Sequence, residues 1–547
     1  MLFSTVSSAV MLCLASVASA QNSSSSIPYP IVGFQVSGDI PLRRNINELQ
    51  ADGGPHWDLF IQSLAVMRDA DPDDPLSFFQ VAGIHGLPHV EWNNTGARAE
   101  NTDRWGGYCP HGEPLFLTWH RIYVLLNEQI LVSNARQIAS TYPESSRDEY
   151  LQAAETLRYP YWDWADNSDL PEATASRNLT VNTPEGQQSI ANPLSGFNFP
   201  EKALNGGFGA FDASPAGSRT QVMRCASGSF PETANSQMKN EDWKQLVYDA
   251  FLYSRNFADF ASSRGGGLSM EEIHNTVHAE ATCFGHFANQ NFAAFDPIFT
   301  MHHVQVDRLF SYWETLHPEE GEFLKSYEGG SRWGHPEGNQ VSPRSPLHPF
   351  FRESGRPHTP RSSSPISRFG YTYEGLNFGG QSAFEMQKEI RRIMNERYSN
   401  NRNALQKRAG NSTDDEQQVF LARLKYNVEE IDRPAVIRVF VNDDECGKII
   451  VPEEPHMGMV GGAVSLKKAI SAMADKQMPI ENITSAVRVE ISRNSGEKIP
   501  LTKIPSMKLE LDHMMEVPNQ SPEDFPELRD RESIPAEVVE HDIDIRR

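Results

Sequence analysis

Trp57, Phe60, Ile61, Leu64 and Met67 recur at helical spacing, so residues 55–69 predict a core helix with Pro55 in its first turn. A longer apolar stripe, Ile122, Leu126 and Ile130, predicts a helix over residues 113–141. Residues 241–262 read as an aromatic-rich helix that Gly265-Gly266-Gly267 ends. The next helix starts at Ser269 or Glu271, and another runs over residues 298–316. A short charged helix over 384–397 carries Phe384, Ile390, Ile393 and Met394 on its apolar side. After residue 418 the period changes. Short apolar runs at 435–441, 448–451, 485–491 and 507–511, separated by Gly, Pro and Asn, read as strands. The pattern is mainly α, followed by a smaller part resembling a β-sandwich.

Two of these helices carry chemistry. His274 and His278 are four apart and share one helix face. Alone, that spacing also fits two ordinary helix histidines. The 298–316 helix adds His302 and His303, and spacing does not say which would join them. Upstream stand His85 between Gly83 and Gly86, His111 in Tyr108-Cys109-Pro110-His111, and His120 on the 113–141 helix. Three plus three imidazoles suggest two metals side by side, and imidazole suits copper, zinc, iron and nickel. Neither trio contains a carboxylate, which disfavours non-haem iron and Glu-x-x-His di-iron sites. A zinc hydrolase would place Glu after the first histidine of HExxH, where this chain has Asn275.

Together these two blocks resemble the copper-A and copper-B motifs of tyrosinases and catechol oxidases, the type 3 binuclear copper proteins. The resemblance covers roughly residues 30–375. It implies a four-helix-bundle catalytic domain holding two copper ions. The implied ligands are His85, His111 and His120 for one ion and His274, His278 and His303 for the other, with His302 packed beside them. It implies dioxygen and a small phenol as partners. Asp307, one turn after His303, is the expected acceptor behind the ligands, and Phe299 is expected over the metal pair. Glu271 (Glu272 as fallback) and Asn275 match the family's pair that holds a water to take the phenol proton. That favours tyrosinase over catechol oxidase. Cys109 and His111 match a Cys-x-His that carries a thioether in similar fungal enzymes.

The same resemblance puts residues 279–292 at the substrate mouth, with Phe292 in the cavity and Gln290 where a small or apolar gate is usual. A polar gate leaves an o-aminophenol oxidase, or a tailoring phenol oxidase, as an alternative. A haemocyanin-like oxygen carrier is the non-enzyme alternative. Tyr371-Thr372-Tyr373 resembles the motif that closes the catalytic domain, and the β-rich part resembles a cap that plugs the copper site until it is cleaved.

Composition sets the setting. At 547 residues and 39% apolar the chain can build more than one core. Residues 1–20, with an apolar run at 9–15 and Ala18-Ser19-Ala20 at the end, read as a secretory signal. The run is too short to span a membrane. Sequons at Asn93, Asn178, Asn411 and Asn482 agree with a secreted, glycosylated protein. A net charge of −23 argues against nucleic acid or anionic membranes as partners. Four cysteines outside the signal make no disulfide scaffold, and Cys225 with Cys283 is the candidate pair. The expected order is signal 1–20, copper domain 21–375, linker 376–418, β-rich cap 419–517 and a disordered acidic tail 518–547. Lys407-Arg408 in the linker is the expected target of an activating protease.

Overall fold

A computed structural model describes residues 27–100, 105–214, 218–320, 325–399, 416–472 and 480–541. The expected signal, Lys407, Arg408 and the Asn411 sequon lie outside the described residues. Among the described residues, no helix is long and apolar enough to cross a membrane.

Four helices hold the centre of the first part: α1 (Gly54–Asp69), α2 (Leu115–Ser140), α3 (Met270–Glu280) and α4 (Ile298–Leu316). Helix α2 is buried along most of its length and lies against both α1 and α4. Ser269 starts α3, its hydroxyl accepting from the Glu272 N–H at 3.2 Å. The predicted 241–262 helix is two helices, Trp243–Tyr253 and Phe257–Ala261, because Asn256 breaks the first run and caps the second. Ser382 and Glu385 form a capping box that starts the short helix Ala383–Arg397.

Asp307 ties the domain together. Its carboxylate accepts from Arg121 Nε at 2.5 Å, Arg43 Nη1 at 3.0 Å, and the Tyr371 and Tyr373 hydroxyls at 2.9 and 2.7 Å. Arg43 N–H also donates to Thr372 O at 2.9 Å, so the Tyr-x-Tyr closes onto the start of the domain. Those two arginines hold the Asp307 carboxyl below its usual range against its burial, the largest opposing influence.

The second part has its own apolar core between two antiparallel sheets. Its strands are β1 (Gln417–Asn427), β2 (Ala435–Val441), β3 (Asp444–Val451), β4 (Met459–Ser465), β5 (Val487–Arg493), β6 (Lys508–Val517) and β7 (Glu527–Ala536). One sheet runs β7-β6-β1-β4 and the other β3-β2-β5. The acidic segment after Pro518 is thus not simply a disordered tail: β7 pairs with β6 across most of its length. Its alternation is polar on both sides, since an edge strand with one sheet neighbour needs few apolar residues.

The two parts share a core. Along β1, Phe420, Ala422 and Leu424 face the sandwich, while Val419 and Leu421 join the helical core. Ionic contacts rim this seam: Lys448 Nζ lies 2.5 Å from Glu280 and 2.9 Å from Glu241, and Tyr253 donates to Glu516 at 2.5 Å.

Cys225 and Cys283 form a disulfide. Asn178 and Asn482 are exposed. Asn93 is half-buried. Its Nδ2, the atom that a glycan would occupy, donates to Tyr29 O at 2.9 Å and Pro349 O at 3.2 Å.

Candidate metal centre and phenol cavity

The six expected histidines converge from both halves of the helical domain. His85, His111 and His120, together with Cys109, offer ligand atoms within 4.8 Å of one another; so do His274, His278, His302 and His303. Each ring's Nδ1 has an identified neighbour. His85 Nδ1 reaches Gln290 O at 3.1 Å, His120 Nδ1 reaches Phe116 O at 2.8 Å, and His278 Nδ1 reaches Phe287 O at 2.5 Å. His303 Nδ1 reaches Phe299 O at 2.9 Å, and His274 Nδ1 reaches Asn275 Oδ1 at 3.0 Å. His111 Nδ1 lies 3.3 Å from Glu271 Oε1. These acceptors fix the tautomer and leave each Nε2 free to point inward. His274 and His303 bring their Nε2 atoms to 3.0 Å, and His85 and His111 bring theirs to 3.5 Å. His278 Nε2 is buried with no hydrogen-bond partner.

Burial pushes His85, His120, His274 and His303 well below the ordinary imidazole range, and His278 down to about 3. Neutral rings keep their lone pairs for a metal. Six imidazoles in two converging sets, with no carboxylate ligand, fit a pair of copper ions.

His302 differs from its neighbour. It stacks on His274 at 4.9 Å, and neither of its ring nitrogens has a hydrogen-bond partner. His303 has the carbonyl-anchored Nδ1 that His85, His120 and His278 share, which supports His303 as the ligand and His302 as packing.

Several expected neighbours sit elsewhere. Asp307 meets arginines and tyrosines, and backbone carbonyls replace it behind the ligands. Their signal was the register of His120 and His303 four residues after Phe116 and Phe299. Phe299 stacks on His303 at 3.9 Å and meets His85 edge-on at 4.8 Å. It therefore spans the two sets, but it is buried behind them and off the cavity wall. Phe292 also leaves the cavity, packing with Phe199, Phe211 and His286. Cys109 is a free thiol whose Sγ lies 3.4 Å from His120 Nε2.

Glu271 is buried and heavily used. Oε1 accepts from Gly112 N–H at 2.7 Å, and Oε2 accepts from Ser263 N–H at 2.9 Å and its hydroxyl at 3.3 Å. Asn275 is one turn further along α3 on the same face and lines a cavity of about 170 Å³ with His85, His111, His274 and His278. Gln290 lines it too, and its Nε2 is buried without a partner.

The resemblance implied a cap over the site but not which of its residues form the cavity's other wall. Pro434, Ile450, Pro452, Glu453 and Asn494 reach in from the β-rich part. Glu453 accepts from Asn289 Nδ2 at 3.3 Å. The Pro455 ring covers Gly112, where an added Cβ would lie 2.6 Å from Pro455 Cγ. A short polar loop has no periodicity to announce such a role.

Residues 75–316 match a family model described as the common central domain of tyrosinase. The chain is 33% identical over 390 residues to a tyrosinase of Podospora anserina, covering 66% of this chain and 67% of that protein. It is 31% identical over 411 residues to a tyrosinase of Neurospora crassa, covering 69% and 59%. Polyphenol oxidase 2 of Agaricus bisporus is 30% identical over 384 residues, covering 66% of each chain. Recombinant mushroom tyrosinase superposes with a TM-score of 0.78 at 22% identity over 94% of this chain and 99% of that one. An apo-protyrosinase of Aspergillus oryzae gives 0.73 at 20% identity over 94% and 98%.

Proposed function

The chain belongs to the tyrosinase and polyphenol oxidase family of type 3 copper enzymes, and from that premise we propose that it is a secreted, latent tyrosinase. The reaction takes a monophenol and dioxygen to an o-quinone and water, and takes two o-diphenols and dioxygen to two o-quinones and two waters. The observation that carries this reading is the cavity itself. It sets Asn275 beside both histidine groups and is lined on another side by Pro452, Glu453 and Pro434 of the β-rich cap.

When bound, the two copper ions take up dioxygen and carry the electrons. His85, His111 and His120 would hold one ion, and His274, His278 and His303 the other. The chain's own groups handle position and protons. Glu271 orients His111 and stands one turn from Asn275, so a water against the Asn275 amide with the Glu271 charge behind it would accept the phenol proton. Ala279, Phe287 and Ala288 give the ring an apolar slot. Gln290 offers an unpaired Nε2–H donor to a phenol bearing an acceptor group, and as a polar gate it keeps o-aminophenol oxidation as the second reading.

Latency is supported by the cap residues Pro452 and Glu453, which line the cavity that a phenol would occupy. Cutting at Lys407-Arg408 would sever the helical part from residues 409–547. Secretion is supported by the Cys225–Cys283 disulfide, which belongs to an oxidising compartment. A Cys109–His111 thioether remains part of the proposal; formed oxidatively, it would remove two hydrogens from the intact mass. The direct test is oxygen uptake by copper-loaded protein, intact and clipped, on a monophenol and on a catechol.

A further inference from the structure

The two backbone carbonyls that orient His85 and His278 belong to one loop, residues 281–292. They are Gln290 O and Phe287 O. The loop thus holds one ligand ring from each histidine set. Its backbone is strained: Cys283 and Phe284 stand in the left-handed region, at φ 54° and 58°. Residues with side chains stay there only where their surroundings hold them.

A separate segment, residues 222–225, supplies that hold. Cys225 is bonded to Cys283, and its N–H donates to Thr282 O at 2.8 Å. Met223 and His286 form a reciprocal pair. The His286 N–H donates to Met223 O at 3.1 Å, and the Met223 N–H donates to His286 Nδ1 at 2.9 Å. With Nδ1 accepting, the ring proton sits on Nε2, 3.3 Å from Ala213 O. His286 is fully buried and lies outside both histidine sets. Arg224 reaches the other way. Its Nε and Nη2 donate to the two Asp296 oxygens at 2.8 and 2.7 Å, and its Nη1 donates to Thr174 O at 2.9 Å. Asp296 Oδ1 in turn accepts from the Ile298 N–H at 3.0 Å, at the start of α4, the helix that carries His303.

We propose that residues 222–225 clamp the metal centre, with His286, Arg224 and the Cys225–Cys283 bond as positioning groups that act through the ligand rings. The disulfide holds the loop close at one end. His286 directly precedes Phe287, so its pairing with Met223 sets the direction of the carbonyl behind His278. The same hold keeps Gln290 O on His85, and Arg224 fixes the first turn of α4 ahead of His303. One short segment therefore bears on both coppers without touching either.

Copper affinity tests this, and it does not depend on the phenol chemistry proposed above. The intact, full-length chain is loaded with copper, and the metal kept per chain is measured against rising chelator, beside the melting temperature of the metal-free chain. His286→Phe keeps a buried ring and removes the acceptor. It should weaken the hold on both coppers by about 10–100-fold, the usual scale for groups behind metal ligands. His286→Asn puts an amide oxygen near the place of Nδ1 and should keep copper close to the wild type. Gly285→Ala is a second, independent wedge, because its Cβ would overlap Met223 O; it should loosen both coppers with His286 intact. A lowered melting temperature with unchanged copper affinity in His286→Phe and Gly285→Ala would overturn the proposal, since the segment would then serve the fold alone. Loss as severe in His286→Asn as in His286→Phe would overturn it too, as would loss of one copper only.

Discussion

At the scale of the residue, the sharpest distinction is between His302 and His303. They are adjacent and both buried, yet one has its Nδ1 on a carbonyl and the other has no partner at all. His303→Ala should therefore lose one of the two coppers and all turnover, while His302→Ala should keep both coppers; metal analysis of the purified variants reads this directly. Glu271→Gln keeps the shape but removes the charge beside His111. It should lower activity by about 10–100-fold, the usual effect of disturbing a group behind a metal ligand. The two histidine groups were legible in the sequence because His274 and His278 share a helix face, and the choice of the six rings came from the resemblance to the copper-A and copper-B motifs. Asp307 and Phe292 were not legible, since nothing in spacing says whether a polar or aromatic side chain turns toward a cavity or into a core. Asp307 found two arginines, and Phe292 found three aromatic rings.

The element that governs access is the loop between β3 and β4. Glycine-serine replacement of Pro452 to Pro455 should open the cavity and let the intact, unclipped chain turn over a catechol, as measured by oxygen uptake. At the seam, Lys448→Ala leaves Glu280 and Glu241 facing each other without their cation. It should weaken cap docking by on the order of 3 kcal/mol, visible as activity without proteolysis. The strands that sequence missed are those whose pattern is least regular. β1 is buried on both faces and so does not alternate, and β4 carries Gly461 and Gly462 where the backbone closes on Leu424 and Glu272. Strands β2 and β5 were legible because they are short, rich in β-branched residues and bounded by turns.

For the whole molecule, docking of cap on helices also buries titratable groups. Burial pushes Asp249 up to about 7, with Lys467 opposing and Glu516 reinforcing the rise. A carboxyl raised in the fold contributes stability that is complete below its unfolded value near pH 4. That contribution is lost as pH rises through about 7. Asp249→Asn should thus flatten the fall in melting temperature between about pH 4 and pH 7. Two cores, one helical and one β, were legible from the change of hydrophobic period near residue 418, but their shared seam was not. A seam is made by single strand faces and paired charges that no local pattern distinguishes from a surface.

The central claim is that a copper phenol oxidase lies closed under its own cap. Oxygen uptake by the copper-loaded chain, before and after cleavage at Lys407-Arg408, tests it most directly, with a monophenol and a catechol in parallel. The account predicts little uptake by the intact chain and uptake on both substrates after cleavage. Equal uptake before and after cleavage would contradict the cap's role, and uptake on the catechol alone would contradict the proton-accepting role given to Asn275 and Glu271.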